Sequence, residues 1–115
     1  MTRSKYGVRT DAAGKLERTA DGILFDSKGE CGRYRQLKLM ERARIITNLE
    51  IQPSYPIVWP GTTKKICTVK LDFRYVDGEG ITHIEDYKGA TTALSNLKRK
   101  LVETAHNITV ELIRK

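Results

Sequence analysis

Asp72, Asp86 and Lys88 are the residues whose types and spacing could do chemistry. They lie in the run Lys70 to Gly89, KLDFRYVDGEGITHIEDYKG, where two alternating stretches flank Asp77-Gly78-Glu79-Gly80, a strong hairpin signal. Strand side chains alternate with a period of two. The first stretch therefore puts Cys67, Val69, Leu71, Phe73 and Tyr75 on one face and Thr68, Lys70, Asp72, Arg74 and Val76 on the other. In the second, Thr82, Ile84, Asp86 and Lys88 share a face. Folding the hairpin with Asp72 roughly opposite Asp86 brings their β-carbons to about 4.5–5.5 Å. Two carboxylates that close repel unless something positive sits between them. A divalent metal would serve, and so would Lys88; either makes a patch suited to chemistry on a phosphate. The alternative is a solvated hairpin face, where such charge pairs contribute little.

The rest of the chain must position that patch. A length of 115 residues corresponds to one domain with a moderate core, and 39% apolar residues suit a small domain with a polar site. The net charge of +7 favours a polyanionic partner, most simply nucleic acid; the alternative is a soluble basic protein with no such role. Cys31 and Cys67 stand apart, without CxxC spacing, on apolar faces. That pattern predicts buried free thiols rather than a disulfide or zinc site. No apolar run approaches the roughly 20 residues of a membrane span, and no signal peptide is visible. The expectation is a cytoplasmic protein with no membrane partner.

In chain order, residues 1–20 form an expected basic flexible arm carrying Arg3, Lys5, Arg9, Lys15 and Arg18. Residues 21–115 form the expected single domain. Ser27 and Glu30 make a capping box, opening a helix to about Arg44 with Cys31, Tyr34, Leu37, Lys38 and Glu41 on one side and Met40 beside them. Short strands are expected at Leu49–Gln52 and near Tyr55–Trp59, then one long strand over Lys65–Val76 with an antiparallel neighbour on each side. Thr91 or Thr92 caps a second helix ending near Ala105, whose Leu94, Leu97, Leu101 and Ala105 recur at helical spacing, with Val102 adding width. Ile108, Val110 and Leu112 alternate as a last strand, parallel to the Ile81–Lys88 strand. The fold class is α/β: helix, three antiparallel strands, helix, strand, a mixed sheet flanked by helices. His83 and His106 read as structural or surface residues.

A helix bearing Glu, an Asp in a hairpin strand, and Asp-x-Lys in the next strand resemble the layout of the PD-(D/E)xK nucleases, with Glu30, Asp72, Asp86 and Lys88 at the four positions. The closest likeness is to small phage and prophage proteins, through Phe25-Asp26-Ser27, Glu30, Leu49, Gln52-Pro53, Asp72-Phe73 and Glu85 to Gly89. The chain also resembles phage endonuclease I, a Holliday junction resolvase, and more remotely the nuclease subunit of certain transposases. Leu71 stands where the signature has Pro, and Asp86 replaces the commoner Glu, a reach one methylene shorter. Glu85 points to the other face by alternation and would be recruited instead if the strand carried a bulge.

The resemblance implies a restriction-endonuclease-like core and Mg²⁺-dependent phosphodiester hydrolysis, with Mn²⁺ as a substitute. Asp72, Asp86 and the backbone carbonyl of Tyr87 would be metal ligands, and Glu30 would hold a second metal or orient a water. Lys88 would position the attacking water and stabilise developing charge. Gln52 is either a supporting residue or an edge-strand polar residue. Arg33, Arg35, Lys70, Arg74, Lys98, Arg99 and Lys100 would contact DNA phosphates without reading sequence, which suits branched DNA and a homodimer. The resemblance also implies a bacterial host that is phage-infected or carries a prophage. The alternative class is a nucleic-acid-binding or partner-dependent protein, of transposase or packaging type, on a nuclease fold that does not cleave alone.

Overall fold

The structure is a computed structural model that describes residues 12–88 and 91–114, with the main chain alone at Lys88 and Arg114. The chain divides into two compact units, Met1–Ile45 and Ile46–Lys115. Of the expected basic arm, residues 1–11 lie outside the described residues. Ala12–Glu17 form a short helix, α1.

In the N-terminal unit, β1 (Thr19–Ala20) and β2 (Ile23–Leu24) form a hairpin around Asp21-Gly22. Both turn residues have positive φ, 51° and 78°, as a two-residue primed turn requires. α2 (Lys28–Arg42) begins where expected. The Ser27 hydroxyl accepts the Glu30 amide at 3.1 Å, and Glu30, Cys31, Tyr34 and Leu37 are buried along one helical stripe. The hairpin is tied to α2 by polar contacts. Tyr34 donates its hydroxyl to Asp21 at 2.6 Å, and Arg35 donates to the Thr19 carbonyl at 3.1 Å. Burial, followed by the Asp21 hydrogen bond, pushes the Tyr34 hydroxyl up to about 12. Both cysteines are free; Cys31 is buried, which raises its pKa, and Cys67 is half-buried.

The C-terminal unit contains β3 (Thr47–Ile51), β4 (Ser54–Val58), β5 (Lys65–Lys70), β6 (Phe73–Val76), β7 (Thr82–Lys88), α3 (Ala93–His106) and β8 (Glu111–Arg114). A four-stranded mixed sheet has the order β3-β6-β7-β8, with β3, β6 and β7 antiparallel and β8 parallel to β7. β4 and β5 form a separate antiparallel ribbon. Tyr55, Ile57, Val69, Leu71, Ile84, Val102 and Val110 make one core joining ribbon, sheet and α3. The protein is thus mixed α/β with a mixed sheet, as its sequence led us to expect.

Three expectations are corrected. The single strand over Lys65–Val76 is broken at Leu71-Asp72, and its halves serve different ladders. Leu94, Leu97 and Leu101 are exposed; the covered face of α3 is Ser95, Arg99 and Val102, with Val102 fully buried. The last strand begins at Glu111 rather than near Ile108. Asn107 takes the left-handed cap of α3 (φ 51°), and the Val110 amide donates to Glu103 at 2.9 Å, so this stretch bonds to the helix first.

Candidate functional site

Asp72 sits at the break between ribbon and sheet, held through its amide, its carbonyl and its carboxylate. Its amide donates to the Glu85 carbonyl at 3.1 Å, and its carbonyl accepts the Gln52 amide at 2.9 Å. Its carboxylate Oδ2 accepts the Tyr87 amide at 2.6 Å. The β6–β7 ladder pairs Phe73 with Glu85, so the Asp72 amide bond to the same carbonyl is one residue out of step. That shift leaves the side chain of Asp72 to make the bond to β7. Its carboxylate therefore lies against the main chain between Asp86 and Lys88.

Asp86 is 7% exposed and belongs to a groove of about 430 Å³. Lys70, Thr92, Ser95, Lys98 and Arg99 line the same groove, whereas Asp72 does not. A carboxylate in one open groove with three cations and the hydroxyl residues Thr68, Thr92 and Ser95 is a surface for a phosphate held through a cation or directly. α3 supplies most of that wall because its start is fixed by a capping box. Thr92 accepts the Ser95 amide at 3.1 Å, and Ser95 accepts the Thr92 amide at 2.9 Å.

Glu85 takes the other face of β7 and is fully buried, accepting the Tyr75 hydroxyl. It has no part in the groove, and the local shift falls on the Asp72 side of the hairpin. Lys88 ends β7 opposite Arg114; its side chain lies outside the described residues. Glu30 occupies the first turn of α2 in the N-terminal unit, at 4% exposure. The structure thus brings together Asp72, Tyr87 and Asp86 in the C-terminal unit. Among the described residues no group of three His, Cys, Asp or Glu side chains is placed to hold a metal ion.

Gln52 has an exposed side chain and a left-handed backbone (φ 52°); its contact with the site is the amide bond to Asp72. The basic residues divide by environment. Lys70, Lys98 and Arg99 face the groove, and Lys100 is exposed outside it. Arg74 is bound to Glu50, donates to the Tyr55 hydroxyl at 2.9 Å and lies 5.6 Å from that ring's centre. The Glu50 bond leads in raising its pKa. Its guanidinium is a structural tie between β6, β3 and β4. Arg33 donates to Gln36 at 3.1 Å, while Arg35 braces the β1–β2 hairpin.

Sequence reasoning missed the setting of His83. Its Nε2 faces Asp77 and its Nδ1 faces Glu111, each at 2.7 Å, and the ring stacks on Tyr75 at 5.2 Å. Both ring nitrogens address carboxylates, so the protonated ring satisfies both. The Asp77 bond, then the Glu111 bond, raises the His83 pKa; the same His83 bond lowers that of Asp77. No local signal marks this cluster, because Glu111 joins it only through β8. His106 donates to the Pro56 carbonyl at 2.8 Å, a structural role as expected.

Fold and site together define a mixed α/β protein with an acidic residue set into a cationic groove. Residues 3–114 match a family described as "Protein of unknown function (DUF1064)", and the chain belongs to that family. No curated protein and no solved structure matches it significantly. Among the described residues, no helix is long and apolar enough to cross a membrane.

Proposed function

We propose that this chain is a metal-dependent endodeoxyribonuclease of the PD-(D/E)xK type, acting on branched DNA such as a Holliday junction. The observation that carries the reading is the bond from Asp72 Oδ2 to the Tyr87 amide, which sets one carboxylate beside the Asp86-Tyr87-Lys88 segment. The donors there are hard oxygens, the class that Mg²⁺ takes. Asp72, Asp86 and the Tyr87 carbonyl would hold the ion. When bound, the ion supplies positive charge to the phosphate and acidifies a water.

The chain's own residues do the rest. Lys70, Lys98 and Arg99 draw the DNA backbone into the groove and offset its charge. Lys88 orients the attacking water and stabilises the charge that develops as its oxygen bonds to phosphorus. One P–O ester bond breaks, and the leaving oxygen takes a proton to become a hydroxyl. Contacts confined to phosphates favour a substrate chosen by shape. Paired cuts on a two-fold junction call for two copies of the chain.

The test is cleavage of labelled four-way junction, flap and linear duplex DNA in Mg²⁺ by wild type and Asp86→Asn. Symmetric junction cuts, lost in the variant, are expected. Equal cutting of all three substrates would remove the preference for branches. Binding without cutting in either Mg²⁺ or Mn²⁺ would leave the partner-dependent or binding-protein reading.

A further inference from the structure

The β4–β5 ribbon has two unlike ends. Near the sheet, Tyr55, Ile57, Val69 and Leu71 are buried in the core. At the far end burial stops: Val58, Trp59 and Ile66 are exposed, Trp59 at 60%, together with Lys64 and Lys65. The ladder pairs Ile57 with Cys67 but Val58 with Lys65, which leaves Ile66 as an extra residue and re-aims the tip.

The tip is held firmly while its ring is open to solvent. The Trp59 amide donates to the Lys64 carbonyl at 2.8 Å. The Trp59 carbonyl accepts the Thr62 amide at 3.1 Å and the Thr62 hydroxyl at 2.8 Å. The Lys64 amide donates to that hydroxyl at 3.1 Å, and Gly61 supplies the positive φ (74°) that the turn needs. The anchored main chain lowers the entropy cost of using the ring as a contact surface.

Charge identifies the occupant. From Glu50 to Asp72 there is no acidic residue between, while Lys64, Lys65 and Lys70 all fall in that interval. An exposed indole among lysines, in a stretch of chain without an acid, fits a polyanion that also offers flat π surfaces. Single-stranded nucleic acid has both properties, and base stacking on aromatic side chains tolerates any sequence. The ribbon also leads to the groove, since Lys70 lines it beside Asp86. At about 3.3 Å per residue, Lys65 to Lys70 spans about 17 Å.

We infer that the tip of the β4–β5 ribbon is a base-stacking platform for unpaired nucleotides, with Trp59 as the stacking ring and Lys64 and Lys65 as its phosphate contacts. This rests on the nuclease reading only in taking the strand as DNA. It specifies the substrate further: the DNA carries unpaired bases near the phosphate that enters the groove.

Trp59 is the chain's one tryptophan, so its emission reports the tip alone. The experiment titrates wild type, without metal and with EDTA, with a short mixed-sequence single strand, its blunt duplex and a four-way junction. Saturable quenching is expected with the single strand and the junction, and weaker quenching with the duplex. Trp59→Ala should weaken single-strand binding roughly ten-fold or more, read by anisotropy of a labelled strand, and Trp59→Phe should restore most of it. Both variants should melt at the wild-type temperature, since the ring is exposed. Unchanged emission while the labelled strand binds would overturn the inference. So would equal affinity of Trp59→Ala, no DNA binding at all, or emission that responds only to a protein partner. Because no metal is present, quenching without later cleavage would sink the nuclease reading alone, and cleavage with an unresponsive Trp59 would sink the platform alone.

Discussion

The carboxylate of Asp72 accepts the backbone N–H of Tyr87 at 2.6 Å, a side chain standing in for a rung of the β6–β7 ladder. Asp72→Asn keeps an oxygen that can accept this bond but removes the charge. It should melt like wild type, still bind junction DNA and lose cleavage in Mg²⁺. Asp72→Ala should also lose about 1–2 kcal/mol in urea unfolding, because the Tyr87 amide loses its partner. Cleavage by Asp72→Asn at the wild-type rate would remove Asp72 from the chemistry.

Gln52 tests main chain against side chain. Its left-handed φ of 52° costs any residue with a β-carbon, and its amide holds the Asp72 carbonyl. Gln52→Gly should keep cleavage and be as stable as wild type or slightly more so, because glycine adopts that conformation freely. If Gln52→Gly folds normally but cuts poorly, the amide side chain itself serves the site.

His83 makes stability depend on pH. Its folded pKa is raised above 6.5, so its contribution is complete below that value and is lost as pH rises through the raised one. Asp77 is lowered below 3.8, so its share is complete above that value and is lost as pH falls through the lowered one. The clasp is therefore whole between about pH 4 and pH 6.5. Melting temperature should fall as pH rises above about 6.5, and His83→Gln should flatten that slope. An unchanged slope in the variant would show that other groups set it.

Val102 and Leu97 separate the two faces of α3. Val102 is fully buried, so Val102→Ala should cost about 1.5–3 kcal/mol in chemical unfolding. Leu97 is 54% exposed, and Leu97→Ser should stay within about 0.5 kcal/mol of wild type. The reverse ranking would mean that the leucine stripe is the covered one.

Local chemistry was legible in the sequence; long-range pairing was less so. Ser27 before Glu30 and Thr92 before the second helix announced both helix starts, because a cap depends only on its neighbours. The Asp77–Gly80 turn and the burial of Val69, Leu71, Phe73 and Tyr75 also followed from pattern. Period-two alternation cannot say which partner each half of a run will choose, so the break at Leu71-Asp72 was hidden. The α3 stripe misled for a related reason: Leu94, Leu97 and Leu101 make the more apolar face, yet all three are exposed, Leu94 on the groove, while Val102 is the residue that is fully buried. The β6–β7 pairing was readable from the hairpin, whereas the one-residue shift at Asp72 and its bond to the Tyr87 amide were not.

The break at Leu71-Asp72 also bears on when the site comes into being. β5 closes with β4, its neighbour in sequence, while β6 closes with both β3 and β7. Asp72 belongs to neither closure alone: its amide and side chain are bonded to β7, and its carbonyl is bonded to Gln52, twenty positions earlier in the chain. Pairings between sequence-distant segments form late in folding because their loops must close first. A nascent or truncated chain can carry every acid and lysine of the groove and still lack their arrangement. Assembly of the site thus coincides with completion of the C-terminal unit, which makes any activity there a sensor of whether that unit has finished folding.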